Sequence, residues 1–79
     1  MTETTDYKLQ QIFRIVLDLE DSIDVTNLRK LTERRWDSLA TVSMVAALES
    51  EFNLSLSAAD YERMTSFEAI RLMVEEKLT

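Results

Sequence analysis

Apolar residues recur at helical spacing in three separate stretches of this 79-residue chain, and no other feature constrains its fold as strongly. Residues three and four positions apart lie on one face of an α-helix, so each stretch predicts a helix with an inward apolar stripe. The first and last stripes consist of Leu9, Ile12, Phe13, Val16 and Leu17, and of Phe67, Ile70, Met73, Val74 and Leu78. Because no stretch has a credible strand pattern, we expect an all-α protein.

Two short polar sequences later in the chain resemble helix capping boxes. Residues 57–60 have Asp in place of the usual Glu and predict a short third helix that reaches about Met64, with Tyr61 and Met64 packed beneath it. Residues 65–68 fit the box more closely and predict the start of the last helix. Three longer helices and one short helix predict a compact four-helix bundle.

A long loop separates the first two helices. The first helix, capped by Thr4 or Thr5, should end near Leu19, and the loop then covers about residues 20–36. Loops of this length are usually functional or disordered. Its apolar residues, which can anchor it to the helices, are Ile23, Val25, Leu28 and Leu31, and the last two fit one helical turn. Since the chain has neither Gly nor Pro, its turns must rely on Asn, Asp, Ser or Thr. We expect this loop to be ordered.

The second helix, predicted over about residues 39–52, has apolar residues on two adjacent faces. The inward face consists of Met44, Val45, Leu48 and Phe52. The neighbouring face, here called the apolar strip, consists of Leu39, Val42 and Ala46. A helix that is apolar over so much of its circumference is either deeply buried or presents one strip to a partner. The pattern alone leaves both alternatives open.

The size and composition of the chain argue against an enzyme. A single domain spanning residues 1–79 leaves little room for a buried catalytic cleft. The chain has no Cys and no His, so it lacks a thiol nucleophile, the commonest general base and the commonest metal ligands. We therefore expect neither catalytic residues nor a metal site.

The charge of the chain bears on its partners and location. A net charge of −6 disfavours nucleic-acid binding, which needs a cationic surface, and favours partners with basic patches. No apolar run approaches membrane-spanning length, and the first six residues are polar and acidic. These features predict a mature, monomeric, cytoplasmic protein that does not insert into membranes.

One serine stands where the loop meets the second helix, between Asp37 and Leu39. Its hydroxyl should face solvent among the unpaired N–H groups of a helix start, which favour negative charge and can hold a phosphate ester. Alternatively, Asp37 or Ser38 is an ordinary helix cap. A similar tripeptide around Ser22 precedes no amphipathic helix, so Ser22 is interpreted as a turn residue.

The order of these features resembles the acyl carrier protein family over nearly the whole chain. The matching sequences are Asp37-Ser38-Leu39, Ala47-Leu48-Glu49-Ser50-Glu51-Phe52, Leu56-Ser57 and Thr65-Ser66-Phe67. The resemblance implies a four-helix bundle of the acyl carrier protein type, with a long loop between helices one and two. It also implies that a phosphopantetheinyl transferase, with magnesium, attaches a 4′-phosphopantetheine arm from coenzyme A to Ser38.

The same resemblance implies roles for the residues near Ser38. The arm's terminal thiol would carry acyl or aminoacyl intermediates as thioesters, which a chain without Cys cannot do by itself. Asp37 would help to present the serine to the transferase. The residues touched by acyl-loading and acyl-transfer enzymes would be Leu39, Val42, Ala46 and Glu49.

Departures from the family pattern indicate a specialised-metabolite, lipid or surface-polysaccharide pathway. Arg34, Arg35 and Trp36 replace the common Leu-Gly before the motif, and Trp at this position is similar to certain stand-alone carriers. Ala40 and Ser43 stand where fatty-acid carriers usually have acids, which disfavours docking to housekeeping fatty-acid enzymes through acidic contacts. The alternative from another class is an unmodified helical interaction module that uses the apolar strip.

Overall fold

A computed structural model describes residues 4–78 of the protein, and four α-helices lie within this range. They are α1 (Thr5–Leu17), α2 (Ser38–Phe52), α3 (Ala58–Glu62) and α4 (Phe67–Leu78), with one 3₁₀ turn at Val25–Asn27. Residues 4–78 contain no strand, only an isolated antiparallel bridge between Arg29 and Ser66. The Cα radius of gyration, 11.7 Å, matches the roughly 12 Å expected of a compact chain of this length. The expected small all-helical bundle, with a long first loop, is confirmed.

Most residues of the stripes predicted for α1 and α4 lie in the core together with residues of α2, and α1 packs against both α2 and α4. Phe13 lies at its centre and meets the rings of Trp36 and Phe67 edge-on, with centroids 5.2 and 5.1 Å away. In such edge-to-face contacts the positive edge of one ring lies against the negative face of the other, which is a favourable arrangement. Val16 is half-buried against this core, whereas Leu78, the last residue of α4, is 46% exposed and does not continue the stripe as predicted.

Asp and Asn end the two longest helices in a chain that has no glycine. Asp18 and Asn53 follow α1 and α2 with left-handed φ angles of 53° and 55°, a conformation that these two residue types tolerate better than most. Thr4 caps the start of α1 by accepting a hydrogen bond from the Tyr7 N–H at 3.1 Å. The predicted end of α1 near Leu19 is therefore two residues late, because the left-handed Asp18 stops the helix at Leu17.

One of the two predicted capping boxes is present. The Ser57 hydroxyl accepts from the Asp60 N–H, and the Asp60 carboxylate accepts from the Ser57 N–H at 2.9 Å. Met64 is fully buried as expected, but Tyr61 is 44% exposed, so its predicted packing beneath α3 is wrong. It lies on the outer side of a helix of only five residues, Ala58–Glu62.

The box predicted over residues 65–68 does not form. Ser66 caps α4 instead, because its hydroxyl accepts from the Ala69 N–H at 3.0 Å. The Thr65 carbonyl accepts from the Lys30 N–H at 2.9 Å beside the bridge between Arg29 and Ser66, and Thr65 lies outside the helix. Glu68 pairs with Arg71 rather than with the helix start.

The segment between α1 and α2 is ordered by polar contacts as well as by burial. The Arg14 guanidinium donates to the carbonyls of Glu20 and Ile23 at 2.9 and 3.1 Å, and Arg35 donates to the Asp18 carbonyl at 2.8 Å. Hydrogen bonds from charged donors are stronger than those from neutral ones, so these two arginines hold the backbone of the segment in place. Val25 is 1% exposed and anchors the 3₁₀ turn to the core.

Two details of this segment differ from the sequence prediction. Leu31 is 100% exposed and is not an anchor, whereas Ile23 and Leu28 are half-buried. The helical turn lies at Val25–Asn27 rather than over residues 28–31, because the Asp24 carboxylate accepts from the Thr26 N–H and so caps a turn there. No helix within the described range has the length and apolar character needed to cross a membrane.

Candidate functional site

Asp37 and Ser38 have different roles at the start of α2. The Asp37 carboxylate accepts from the Ala40 N–H at 2.8 Å, and its carbonyl accepts from the Thr41 N–H at 3.0 Å, so Asp37 is the cap. Ser38 is the first residue of the helix, and its side chain is exposed. Within residues 4–78 the Ser38 hydroxyl has no hydrogen-bond partner. Of the two residues that sequence left as possible caps, only Asp37 acts as one.

Trp36 fixes the direction in which the chain enters α2. Its side chain is 3% exposed and packs perpendicular to the Phe13 ring. Among the described residues its indole N–H has no partner, although it is buried. Burial of a side chain two residues before Ser38 limits the positions that the helix start can take. In the sequence Trp36 stands out only as a departure from the family pattern before the motif, and its packing in the core comes from the structure.

The two apolar faces of α2 have different environments. Met44, Val45 and Leu48 are buried and Phe52 is half-buried, as predicted for the inward face. On the apolar strip, Leu39 is 75% exposed, Val42 is 64% exposed, and Ala46 is also exposed. The alternative in which both faces are core is therefore excluded. Ser38 and the apolar strip lie on the solvent side of the same helix.

The helix-two positions compared with fatty-acid carriers also differ in exposure. Ser43 faces solvent, but Ala40 is only 7% exposed and belongs to the hydrophobic core. A carboxylate at position 40 would have to be buried against apolar side chains, which is costly without a partner. Of these two positions, only 43 can therefore bear on docking.

Glu49, predicted to bind partners, accepts hydrogen bonds from other residues of the chain. It is half-buried, and its carboxylate accepts from the Leu56 N–H at 3.0 Å. Its backbone carbonyl accepts from the Leu54 N–H at 3.2 Å. Glu51, the other acid of α2, pairs with Lys8 at 3.6 Å. Glu49 thus holds the loop after α2, and the exposed, uncharged part of the helix is the portion nearer to Ser38.

Ser22 provides a comparison within the same chain. It is exposed and lies in a turn closed by the Ile23 N–H, which donates to the Glu20 carbonyl at 3.1 Å. A 3₁₀ turn of three residues follows it, without the long helix that follows Ser38. The interpretation of Ser22 as a turn residue is confirmed.

Basic residues are concentrated on the surface just before the motif. Residues 29–35, here called the cationic turn, include four of the nine basic residues of the chain. Beside this turn lies an open cleft of about 850 Å³, whose lining residues are Thr26, Asn27, Leu28, Arg29, Lys30, Leu31, Thr65, Ser66 and Glu68. The cleft does not include Ser38. The charge run was visible in the sequence, but the cleft depends on pairing between distant segments.

No group of three or more acidic side chains within residues 4–78 is placed to hold a metal ion. Neither the models of known protein families nor the curated proteins compared with this chain match it.

Proposed function

We propose that this protein carries acyl or aminoacyl groups as thioesters on a 4′-phosphopantetheine arm attached to Ser38, and presents them to partner enzymes. The observation that carries the proposal is the exposed Ser38 hydroxyl, unpartnered within residues 4–78, next to an exposed apolar strip on one helix. The wider resemblance to acyl carrier proteins supports the same function.

The surroundings of Ser38 suit a phosphate ester. The hydroxyl oxygen is open to an incoming transferase because Asp37, and not Ser38, caps the helix. The first N–H groups of a helix have no carbonyl partner within it, and the helix dipole places partial positive charge at this end. A phosphate joined to the Ser38 oxygen would therefore gain electrostatic stabilisation from the 15-residue helix that begins at Ser38.

The chain itself supplies attachment and presentation rather than catalysis. The bound arm would provide the terminal thiol, a group absent from a sequence with no Cys. Asp37 holds the first turn of α2 so that Ser38 stays exposed. Covalent tethering raises the local concentration of the carried group at a docked enzyme, so brief and weak docking is sufficient.

The apolar strip is proposed as the docking surface for the acyl-loading and acyl-transfer enzymes. Leu39 and Val42 offer exposed apolar area on the same helix as Ser38. Glu49 is proposed only as a support for this surface, since its carboxylate is bonded to Leu56. The lack of exposed acids on the early part of α2 favours a specialised pathway over housekeeping fatty-acid synthesis, in a monomeric cytoplasmic carrier.

Intact-protein mass spectrometry tests the modification. After incubation with a phosphopantetheinyl transferase, coenzyme A and magnesium, the wild-type protein should gain the mass of one phosphopantetheine group. Ser38→Ala should gain none. Ser22→Ala and Ser43→Ala are matched controls, because both replace exposed serines, and both should still be modified. An unchanged wild-type mass, or modification of Ser38→Ala, would contradict the proposal.

The second candidate function is an unmodified interaction module, favoured by the 75% exposure of Leu39 and the 64% exposure of Val42. It requires a partner that binds with equal affinity before and after treatment with the transferase. Binding should be abolished by Val42→Asp and be insensitive to Ser38→Ala. Equal binding by the Val42→Asp variant would exclude this candidate.

A further inference from the structure

Positive charge is concentrated in the cationic turn of an otherwise acidic protein. Four basic residues and Glu33 give residues 29–35 a net charge of +3. The net charge of the whole chain is −6, so all other residues together carry −9. The turn is therefore a local positive region on a negative molecule, and it can attract a negatively charged partner surface from a distance of about a Debye length.

Three of the four cations of this turn are available to a partner. Arg29 and Arg34 are exposed and Lys30 is half-exposed, and no hydrogen bond or ion pair within residues 4–78 uses these three side chains. Arg35 differs, since it donates to the Asp18 carbonyl. Leu31 is 100% exposed among them. A single exposed leucine is ordinary on a protein surface, but here it lies within a cluster of unpaired cations.

The backbone of the cationic turn is held at both ends. The Arg29 carbonyl accepts from the Thr32 and Glu33 N–H groups at 3.2 and 2.9 Å, which closes the turn around Leu31. The Lys30 N–H donates to the Thr65 carbonyl, and Trp36 is buried in the core immediately after the turn. A preformed turn loses little conformational entropy on binding.

The cleft beside the cationic turn, which Arg29, Lys30 and Leu31 help to line, adds a concave surface. One wall consists of residues 26–31, and the other consists of Thr65, Ser66 and Glu68 at the start of α4. Its volume of about 850 Å³ is enough to receive several side chains of a partner.

We propose that the cationic turn is a docking surface for a partner protein that presents carboxylates around an apolar contact for Leu31. Three of its four cations are arginines, whose planar guanidinium groups bind carboxylates with two parallel hydrogen bonds and are enriched at protein interfaces. An anionic bilayer or a nucleic acid is an extended negative surface. It would also approach the remaining residues, whose net charge of −9 would repel it. No aromatic side chain lies within residues 29–35 to stack on a base.

This docking surface does not depend on modification of Ser38, so the test uses the unmodified ¹⁵N-labelled Ser38→Ala protein. The probe is a synthetic peptide in which glutamates flank a central pair of phenylalanines, titrated at low salt and followed by NMR chemical shifts. A peptide of the same length with lysines in place of glutamates is the control. Shift changes should be confined to residues 26–35 and 65–68, should weaken with added salt, and should be absent with the lysine peptide.

Three further single variants in this background separate the cationic turn from the rest of the surface. Arg34→Glu should weaken binding roughly tenfold, because it replaces an attractive contact by a repulsive one. Leu31→Ser should weaken it by about the same factor through lost apolar contact. Arg63→Glu is the matched control, an equal charge change at another exposed arginine, and should leave binding within about twofold.

The proposal is overturned if the glutamate peptide does not bind, if its shift changes map elsewhere, or if Arg63→Glu weakens binding as much as Arg34→Glu. Cosedimentation with vesicles of phosphatidylcholine and phosphatidylserine distinguishes a lipid surface. Binding to these vesicles that Arg34→Glu removes, without peptide binding, would assign the cationic turn to membranes instead.

Discussion

The Ser38 hydroxyl has no hydrogen-bond partner within residues 4–78, because the carboxylate of Asp37 makes the capping bond at the start of α2. Both residue types are good helix caps, and the structure assigns the capping bond to the Asp37 carboxylate, 2.8 Å from the Ala40 nitrogen. That assignment leaves a serine hydroxyl at the first position of a long helix with no structural duty among the described residues. The two neighbouring residues should therefore respond very differently to removal of their side-chain oxygens.

Asp37→Ala should lower the free energy of unfolding by about 0.5–2 kcal/mol, because it removes a helix cap. Ser38→Ala, the matched control, should change it by less than about 0.5 kcal/mol. Urea unfolding followed by fluorescence of Trp36, the single tryptophan, measures both. If Ser38→Ala destabilised the protein as much as Asp37→Ala, Ser38 would have a structural role that the geometry does not show.

At the scale of the element, α2 has one face in the core and one in solvent. The sequence predicted its inward face, but the pattern left open whether the apolar strip is also part of the core. Leu48 on the inward face is fully buried, and Leu39 on the apolar strip is 75% exposed. Identical substitutions at the two positions compare them directly.

Leu48→Ala should reduce the free energy of unfolding by about 2–5 kcal/mol, since it removes buried apolar atoms and leaves a cavity. Leu39→Ala should change it by no more than about 0.5 kcal/mol. Urea denaturation midpoints of the two variants provide the measurement. Similar losses for both would mean that Leu39 is also buried, and that the apolar strip is not available for docking.

At the scale of the whole molecule, charged contacts join the short α3 to the end of α4. The Asp60 carboxylate accepts hydrogen bonds from Ser57 and lies 3.0 Å from the Lys77 ammonium. These contacts, the backbone N–H of Ser57 first and Lys77 next, lower the pKa of Asp60 from 3.8 to about 2. Because the charged form is favoured in the folded protein, its contribution to stability is complete above pH 4 and is lost as the pH falls toward 2.

Asp60→Asn should therefore destabilise the protein at pH 7 and reduce the loss of stability between pH 4 and pH 2. The reduction should be partial, because hydrogen bonding to Arg71 also lowers the pKa of Glu68 and contributes to the same acid loss. Urea unfolding of both proteins at pH 7, 4 and 2 gives the comparison. An unchanged acid loss in Asp60→Asn would show that the capping box and its Lys77 contact do not couple to folding.

Local patterns predicted most of the fold. Helix type, the inward stripes of α1 and α4, and the box at residues 57–60 follow from spacing and capping chemistry within a few residues. Errors occurred where distant segments decide the outcome. The Lys30 N–H donates to the Thr65 carbonyl, and Thr65 lies outside α4. The turn capped by Asp24 is an exception, because its bond from the Thr26 N–H is local and was overlooked in the sequence. Ser38 and the apolar strip were identified from sequence, whereas the cleft beside the cationic turn was not.

Residue spacing and capping chemistry were enough to predict that this chain is helical, that most residues of the stripes in α1 and α4 face inward, and that one serine opens the second long helix. Periodicity and side-chain capping are short-range properties, so they can be read without knowing the neighbours. Three features emerged only from the folded molecule, namely the exposure of the apolar strip, the burial of Trp36 and the exposure of Leu31. Each of these depends on which distant side chains occupy the core around Phe13, and that occupancy is a property of the packed molecule.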